Sequence, residues 1–377
     1  MKIKRILQSV IESNLNRQKV SLLLGARRVG KTMVLKDLYD NYNQKKLWLN
    51  GEDSNVANLL EERSIANYKR LLNGVQLLII DEAQYIPDIS RKVKLMIDNI
   101  EPLHIIITGS SSFDLVQMGE PLTGRTLTYH LYGISVSELL AHENLLQVKE
   151  KLEERLIYGN YPEILSYENL EQKAHYLNEL VNHYLLKDIL VFEQVRNAKV
   201  LKDLLVLLAY QVGSEVSTNE LGRQLNISKN TVDRYLDLLE KSFIIFSLGG
   251  YSKNLRKEVS KSNKWYFFDN GVRNALIGNF QPLAIRNDKG ALWEQYFINE
   301  RYKKLSYEQR ITSRYFWRTY DQQEIDLIEV ENTQLSAFEC KWKDKKAKVP
   351  IAFANAYADA IFHTVHPDNY LEWCEIS

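Results

Sequence analysis

The run Gly25-Ala26-Arg27-Arg28-Val29-Gly30-Lys31-Thr32 fits the pattern GxxxxGK[ST] without a mismatch. It follows an apolar stretch, VSLLL, and opens a helical pattern, MVLKDLYD, the strand–turn–helix setting that gives the pattern its meaning. The glycines let the backbone curl so that successive N–H groups face one point, and the helix that starts there turns its positive end to the same place. A phosphate is the natural occupant. Residues 25–33, from Gly25 to Met33, are therefore the expected cradle for ATP or ADP, with Lys31 reaching the β- and γ-phosphates and Thr32 holding Mg²⁺.

A second pattern supports the first. Leu77-Leu-Ile-Ile80 runs into Asp81-Glu82, and a buried strand that ends in two carboxylates is costly unless they bind something. Downstream of a phosphate loop, Asp81 is placed for Mg²⁺ and Glu82 to orient and deprotonate the attacking water. The run IIITGSSS at 105–112 ends in hydroxyls. Thr108 or Ser110 is a candidate to face the γ-phosphate or the water, beside the plainer reading of a serine turn. Arg125, in Thr-Gly-Arg-Thr at 123–126, is a candidate to stabilise transition-state charge, in its own site or a neighbour's, beside the reading of a surface arginine.

Apolar runs at 20–25, 46–50, 75–82 and 103–110, separated by helical stretches, read as a parallel sheet in an α/β layer architecture. The remainder of the 377 residues is enough for two further domains or so. The spacing places segments at 1–135 (phosphate-loop domain), 136–210 (helical), 211–288 and 289–377. Net charge is +1, which excludes a uniformly basic nucleic-acid coat but not a local basic patch. Cys340 and Cys374 read as reduced thiols. No signal-like start and no apolar run of about 20 residues is present, so a cytoplasmic chain without membrane association is expected.

Residues 216–240, VSTNELGRQLNISKNTVDRYLDLLE, read as two helices around a break at Asn226-Ile227. Ser217 and Glu220 form an expected capping box, and Ser228 caps the second helix. Its apolar face is Ile227, Val232, Leu236 and Leu239, which leaves Lys229, Asn230, Thr231 and Arg234 on or near the exposed side. This is a helix-turn-helix pattern, with the second helix as reader. FIIFSL and KWYFFD follow as a hairpin, and the wing between them carries Lys253, Arg256 and Lys257. Residues 196–290 hold fifteen Lys and Arg against nine Asp and Glu, a surplus that suits DNA phosphates. A protein-docking module is the competing reading.

In the last segment, Glu324-Ile-Asp326 and Glu339-Cys-Lys341 sit on successive strand-like runs. Residues two apart on a strand share a face, so Glu339 and Lys341 point together and Cys340 points away. Asp326 joins from the neighbouring strand and Glu294 from the preceding helix. Three carboxylates and a lysine in this pattern fit a Mg²⁺ or Mn²⁺ site in which the lysine positions a water; two charged surface strands are the plainer reading.

GARRVGKT, LLIIDEAQ, TGSSS and TGRT, followed by Tyr158-Gly-Asn-Tyr-Pro162 and Tyr184-Leu-Leu-Lys-Asp188, resemble the AAA+ ATPases of bacteria and archaea that carry a C-terminal domain of unknown function 4143. The resemblance spans nearly the whole chain. It implies an AAA+ module with a helical lid, a winged helix and a PD-(D/E)xK nuclease-like tail, although the literal Pro-Asp is absent, since Ile325 precedes Asp326. The resulting expectation is an ATPase coupled to a DNA-binding winged helix and a nuclease-like domain, in a chain able to form a homo-oligomer. The alternative is a nucleotide-gated switch whose winged helix and tail dock a protein partner.

Overall fold

The structure, a computed structural model, describes residues 3–15, 18–109, 122–185, 197–252, 263–344 and 346–376. Ser110 and the basic segment with Lys253, Arg256 and Lys257 lie outside the described residues. The described residues divide into two compact units, 2–132 and 133–377.

Near-continuous apolar strands need cover on both faces, and the first unit supplies it. Its elements are α1 (Ile6–Glu12), β1 (Val20–Leu24), α2 (Lys31–Asn41), β2 (Lys46–Asn50), α3 (Ser54–Leu59), α4 (Ile65–Leu71), β3 (Leu77–Asp81), α5 (Ile89–Asn99), β4 (His104–Gly109) and β5 (Thr126–His130). Among the described residues five strands pair in the order β2-β3-β4-β1-β5, each contact parallel. Leu77 to Ile80 and Ile105 to Ile107 are fully buried, as are Leu35 of α2 and Val93 and Met96 of α5. Within this core, Ser21 Oγ lies 2.9 Å from His104 Nε2. Burial lowers the His104 pKa to about 4, so the ring is neutral. Strand β5 has no counterpart among the runs read from sequence. Its TLTYH alternates polar and apolar residues, as an edge strand does, and so lacks the continuous apolar run that marks the strands inside the sheet.

The second unit begins with helices α6 (Val136–Leu140), α7 (Leu145–Glu150), α8 (Leu152–Tyr158), α9 (Leu170–Glu179) and α10 (Ala198–Tyr210). Leu201, Leu204, Leu205 and Leu208 give α10 a buried stripe at helical spacing. After β6 (Glu215–Val216) come α11 (Thr218–Leu225), α12 (Lys229–Lys241), β7 (Ile245–Gly250), β8 (Asn263–Phe267) and α13 (Asn270–Leu276). The last part holds α14 (Lys289–Tyr307), β9 (Ser313–Arg318), β10 (Glu324–Glu331), β11 (Gln334–Cys340), α15 (Ile351–Ala356), β12 (Ile361–Val365) and α16 (Leu371–Cys374). β9, β10 and β11 run antiparallel, and β12 returns parallel to β11 after the crossover through α15. β7 and β8 form the expected antiparallel hairpin, with β6 on the far side of β8. β7 also pairs in parallel with β9, Gly249 with Tyr315 and Gly250 with Phe316. Among the described residues this makes one seven-stranded sheet, β12-β11-β10-β9-β7-β8-β6, which continues across position 288.

The tyrosine motif at 158–162 has a physical reason in this unit. Asp269 is buried. One of its oxygens accepts from the Asn160 N–H at 2.7 Å and the other caps α13 through the Val272 N–H at 3.1 Å. The Asn274 amide donates to the carbonyls of Leu156 and Ile157 at 3.1 and 2.7 Å, so the C-terminal carbonyls of α8 are met by α13. A Cβ on Gly159 would stand 2.0 Å from Asp269 Oδ1, and its φ is +73°. Gly159→Ala therefore meets both a clash and an unfavourable backbone. We expect it to destabilise the second unit by about 1–3 kcal/mol, read as a lower melting midpoint of the full chain; an unchanged midpoint would contradict this packing.

Candidate functional site

The phosphate loop leaves β1 at Gly25, whose backbone lies against the end of β5. The Leu131 N–H donates to the Leu24 carbonyl at 2.8 Å, and a Cβ on Gly25 would stand 2.2 Å from the Leu131 oxygen. Gly30, with φ +100°, is the N-cap of α2, and a side chain there would be strained. Arg28 also adopts positive φ, +62°. Ala26 and Val29 are buried, Arg28 and Met33 exposed, and Arg27 and Thr32 half-buried. Lys31 is buried, and its Nζ donates to the Gly25 and Ala26 carbonyls at 2.7 and 3.0 Å. The loop thus folds around its own ammonium, the group the sequence assigned to the phosphates.

The two acids stand at the C-terminal end of β3. Asp81 is buried and accepts from the Thr108 hydroxyl. The same hydroxyl accepts from the Glu82 N–H at 3.1 Å. Thr108 therefore ties β4 to both acidic residues and orients Asp81, rather than standing open for a phosphate. Glu82 has φ +51°, a conformation that costs a non-glycine residue roughly 1–3 kcal/mol and persists where its surroundings fix it. They do so here: Gly51 lies so close that a Cβ would stand 2.2 Å from the Glu82 oxygen. The Glu82 carboxylate accepts from the Gln84 amide at 2.6 Å. A buried carboxylate held by a hydroxyl, beside a strained, half-exposed glutamate, is a donor set suited to a divalent cation and a water.

Arg125 is elsewhere. Its carbonyl accepts from the Val20 N–H, so it precedes β5 at the end where β1 begins, whereas the loop follows the other end of β1. A five-residue strand at about 3.3 Å per residue separates the two by roughly 16 Å. The guanidinium pairs with Asp98 of α5 at 2.5 Å.

Residues 17–140 match a family model described as an AAA domain, and residues 289–367 one described as a domain of unknown function, DUF4143. The chain joins an AAA-type P-loop ATPase domain to a C-terminal DUF4143 domain. Between them, residues 149–283 match another domain of unknown function, DUF8612. Among relatives, an uncharacterized protein of Mycobacterium tuberculosis is 28% identical over 333 residues, 87% of this chain and 71% of that one. One of Methanocaldococcus jannaschii is 25% identical over 311 residues, 77% and 68%. Among solved structures, a Signal Transduction ATPase with Numerous Domains protein with a tetratricopeptide repeat sensor from Pyrococcus horikoshii is 14% identical with a TM-score of 0.32, covering 81% of this chain and 46% of that one. That likeness is too distant to bear on mechanism.

In the DUF8612 stretch, α11 and α12 meet through a tight turn. Asn226 takes φ +54°, and Gly222 lets the chain double back, since a Cβ there would stand 2.8 Å from the Ile227 oxygen. The capping box is half formed. Ser217 Oγ accepts from the Glu220 N–H at 3.4 Å, while the Glu220 carboxylate accepts from Gln224 at 3.3 Å. Ser228 caps α12 through the Thr231 N–H. Val232, Leu236 and Leu239 are buried, and Lys229, Asn230 and Arg234 are exposed. The charge surplus read from sequence is smaller at the surface. Lys264, Arg273 and Arg286 are all buried and paired, the two arginines with Asp288 at 2.5 and 2.7 Å.

The tail brings the predicted acids near one another, with an unforeseen partner. Lys264, from β8, is 1% exposed. Its ammonium pairs with Glu324 and lies 3.7 Å from Glu294. Burial opposes its charge, yet Glu294, Asp326 and Glu324 outweigh it and raise its pKa. Tyr266 donates to Glu294 at 2.6 Å, Asp326 accepts from the Cys340 N–H at 2.7 Å, and Lys341 pairs with Glu339 at 2.6 Å. Burial, then Glu294 and Glu339, push the Asp326 carboxyl well above its ordinary range. Among the described residues no group of three or more His, Cys, Asp and Glu is arranged to hold a metal ion. The sequence pattern fits these acids to Mg²⁺ or Mn²⁺, whereas in the structure the Lys264 ammonium is a cation already among them. It was missed because it lies outside the tail, in KWYFFD, where it counted as one more basic residue. Cys340 and Cys374 are free thiols, and among the described residues no helix is long and apolar enough to cross a membrane.

Proposed function

We propose that the chain is a Mg-ATP-hydrolysing switch whose nucleotide state controls DNA contact by the α11–α12 pair. The observation that carries the first half is the grouping at the C-terminal strand ends: Lys31 inside its loop, Asp81 held by Thr108, and Glu82 fixed in a strained conformation beside Gln84. On ATP binding, Lys31 exchanges the two loop carbonyls for phosphate oxygens. Thr32 and Asp81 would hold Mg²⁺, which would neutralise phosphate charge when bound. Glu82 takes the proton of the attacking water. Arg125 lies at the opposite sheet end, paired with Asp98, so it stabilises a transferring phosphate only if that phosphate belongs to a second copy, and a homo-oligomer would then be the catalytic form. Glu82→Gln should retain ATP binding and lose turnover by about 10²–10⁴-fold, whereas Lys31→Ala should lose tight ATP binding. Calorimetry with a steady-state phosphate assay reads both, and wild-type turnover by Glu82→Gln would end the assignment.

The second half is supported by the turn at Asn226, the exposed Lys229, Asn230 and Arg234, and the β6–β7–β8 strands beside the helices, an arrangement like a winged helix. Phosphate contacts make affinity fall with salt at a log–log slope of about −0.9 each. Lys229→Ala with Arg234→Ala should flatten that slope by about two units, and the triple change of Lys253, Arg256 and Lys257 to Ala by two to three more. A slope indifferent to both sets, or no DNA binding, would favour the nucleotide-gated protein-docking reading.

For the tail, the order α14–β9–β10–β11–α15–β12 supports a nuclease-like fold, while Lys264 among Glu294, Glu324 and Asp326 favours a docking role over metal-dependent cleavage. The metal reading would use Asp326, Glu339 and Glu294 as ligands with Lys341 beside the water. Because β9 pairs with β7, the test uses the whole chain, with Lys31→Ala to suppress nucleotide-linked metal. We expect no saturable Mn²⁺ binding up to millimolar concentration. Saturable binding that Asp326→Asn abolishes would restore the metal reading.

A further inference from the structure

Arg5 precedes α1 and is 6% exposed, yet it lies in a sequence stretch, KIKRI, with no motif. Burying a guanidinium is costly unless its donors are met. Arg5 spends two on backbone carbonyls: Nη1 donates to Val29 at 2.8 Å and Nη2 to Tyr132 at 2.6 Å. Both are charge-assisted bonds, the stronger class. The position is firm because Leu7 and Ile11 of α1 are fully buried.

The Val29 carbonyl belongs to the peptide unit whose N–H is that of Gly30, the N-cap of α2. A trans peptide is planar, with its C=O and N–H directed oppositely. A guanidinium that holds the Val29 oxygen therefore aims the Gly30 N–H away from itself. Gly30, free of a Cβ, could otherwise let that peptide flip. The Tyr132 carbonyl, just past β5, anchors the other arm, so the loop peptide is referred to the sheet rather than to α1 alone.

We propose that Arg5 is a positioning residue for the nucleotide, fixing the Val29–Gly30 peptide so that its N–H meets the phosphates. The inference rests on the loop being the nucleotide site. Its readouts are calorimetric affinity for MgADP and the ³¹P resonance of the β-phosphate in the saturated complex. Arg5→Ala should weaken MgADP by about tenfold, the worth of one such bond, and should move the β-phosphate resonance. Arg5→Lys, which keeps a charged donor for one carbonyl, should fall between. An unchanged resonance at saturation overturns the proposal, even if affinity falls, because a purely structural role lowers affinity without changing the phosphate's donors. Affinity within twofold of wild type overturns it as well. If Arg5→Ala does not fold, Arg5→Gln and Arg5→Lys are read by the same two criteria. Failure of the wild-type chain to bind MgADP is a different outcome: it removes the nucleotide site itself, and this inference with it.

Discussion

The first unit depends on one close approach, the Gly25 backbone against the Leu131 carbonyl at the end of β5. No side chain fits in that space. β1 must end there, the loop must curl, and α2 must begin with its N-terminus toward the strand ends. Lys31 then falls inside the loop and Asp81 at the end of a neighbouring strand pair. The chemistry at this edge follows from backbone geometry before any ligand arrives, which is why a short pattern of glycines, a lysine and a threonine carries so much information.

The second unit is ordered by buried charge. Asp269 is met by backbone N–H groups, Asp288 by two arginines, and Lys264 by carboxylates from β10 and α14. Such pairs add less stability than apolar packing would, but removing one partner leaves an uncompensated charge at a cost of several kcal/mol. They therefore fix which elements meet. Through Lys264 and the β7–β9 pairing, the strands next to the α11–α12 helices and the tail share a sheet and an ion cluster.

What could be read from sequence was whatever rests on local pattern. The loop from Gly25 to Thr32, the apolar strands β1 to β4, the caps at Ser217 and Ser228 and the buried face of α12 each repeat with a known period or spacing. What could not be read rests on long-range pairing. Strand β5 looks like any alternating stretch until it lies beside β1. Thr108 meets Asp81 because β4 lies beside β3, and Lys264 meets Glu324 across 60 residues of chain. Arg5 gives no signal at all, since its partners are carbonyls, which every residue has.

If nucleotide state controls DNA contact, the two binding free energies must be coupled, because a ligand shifts an equilibrium only by its differential affinity for the two states. The direct measurement is the DNA dissociation constant of the full chain at one fixed salt concentration, taken without nucleotide, with MgADP and with a non-hydrolysable MgATP analogue. Our reading predicts that the last two differ by about fivefold or more, a coupling of roughly 1 kcal/mol. Equal constants in all three states would contradict it, even if the chain hydrolyses ATP and binds DNA.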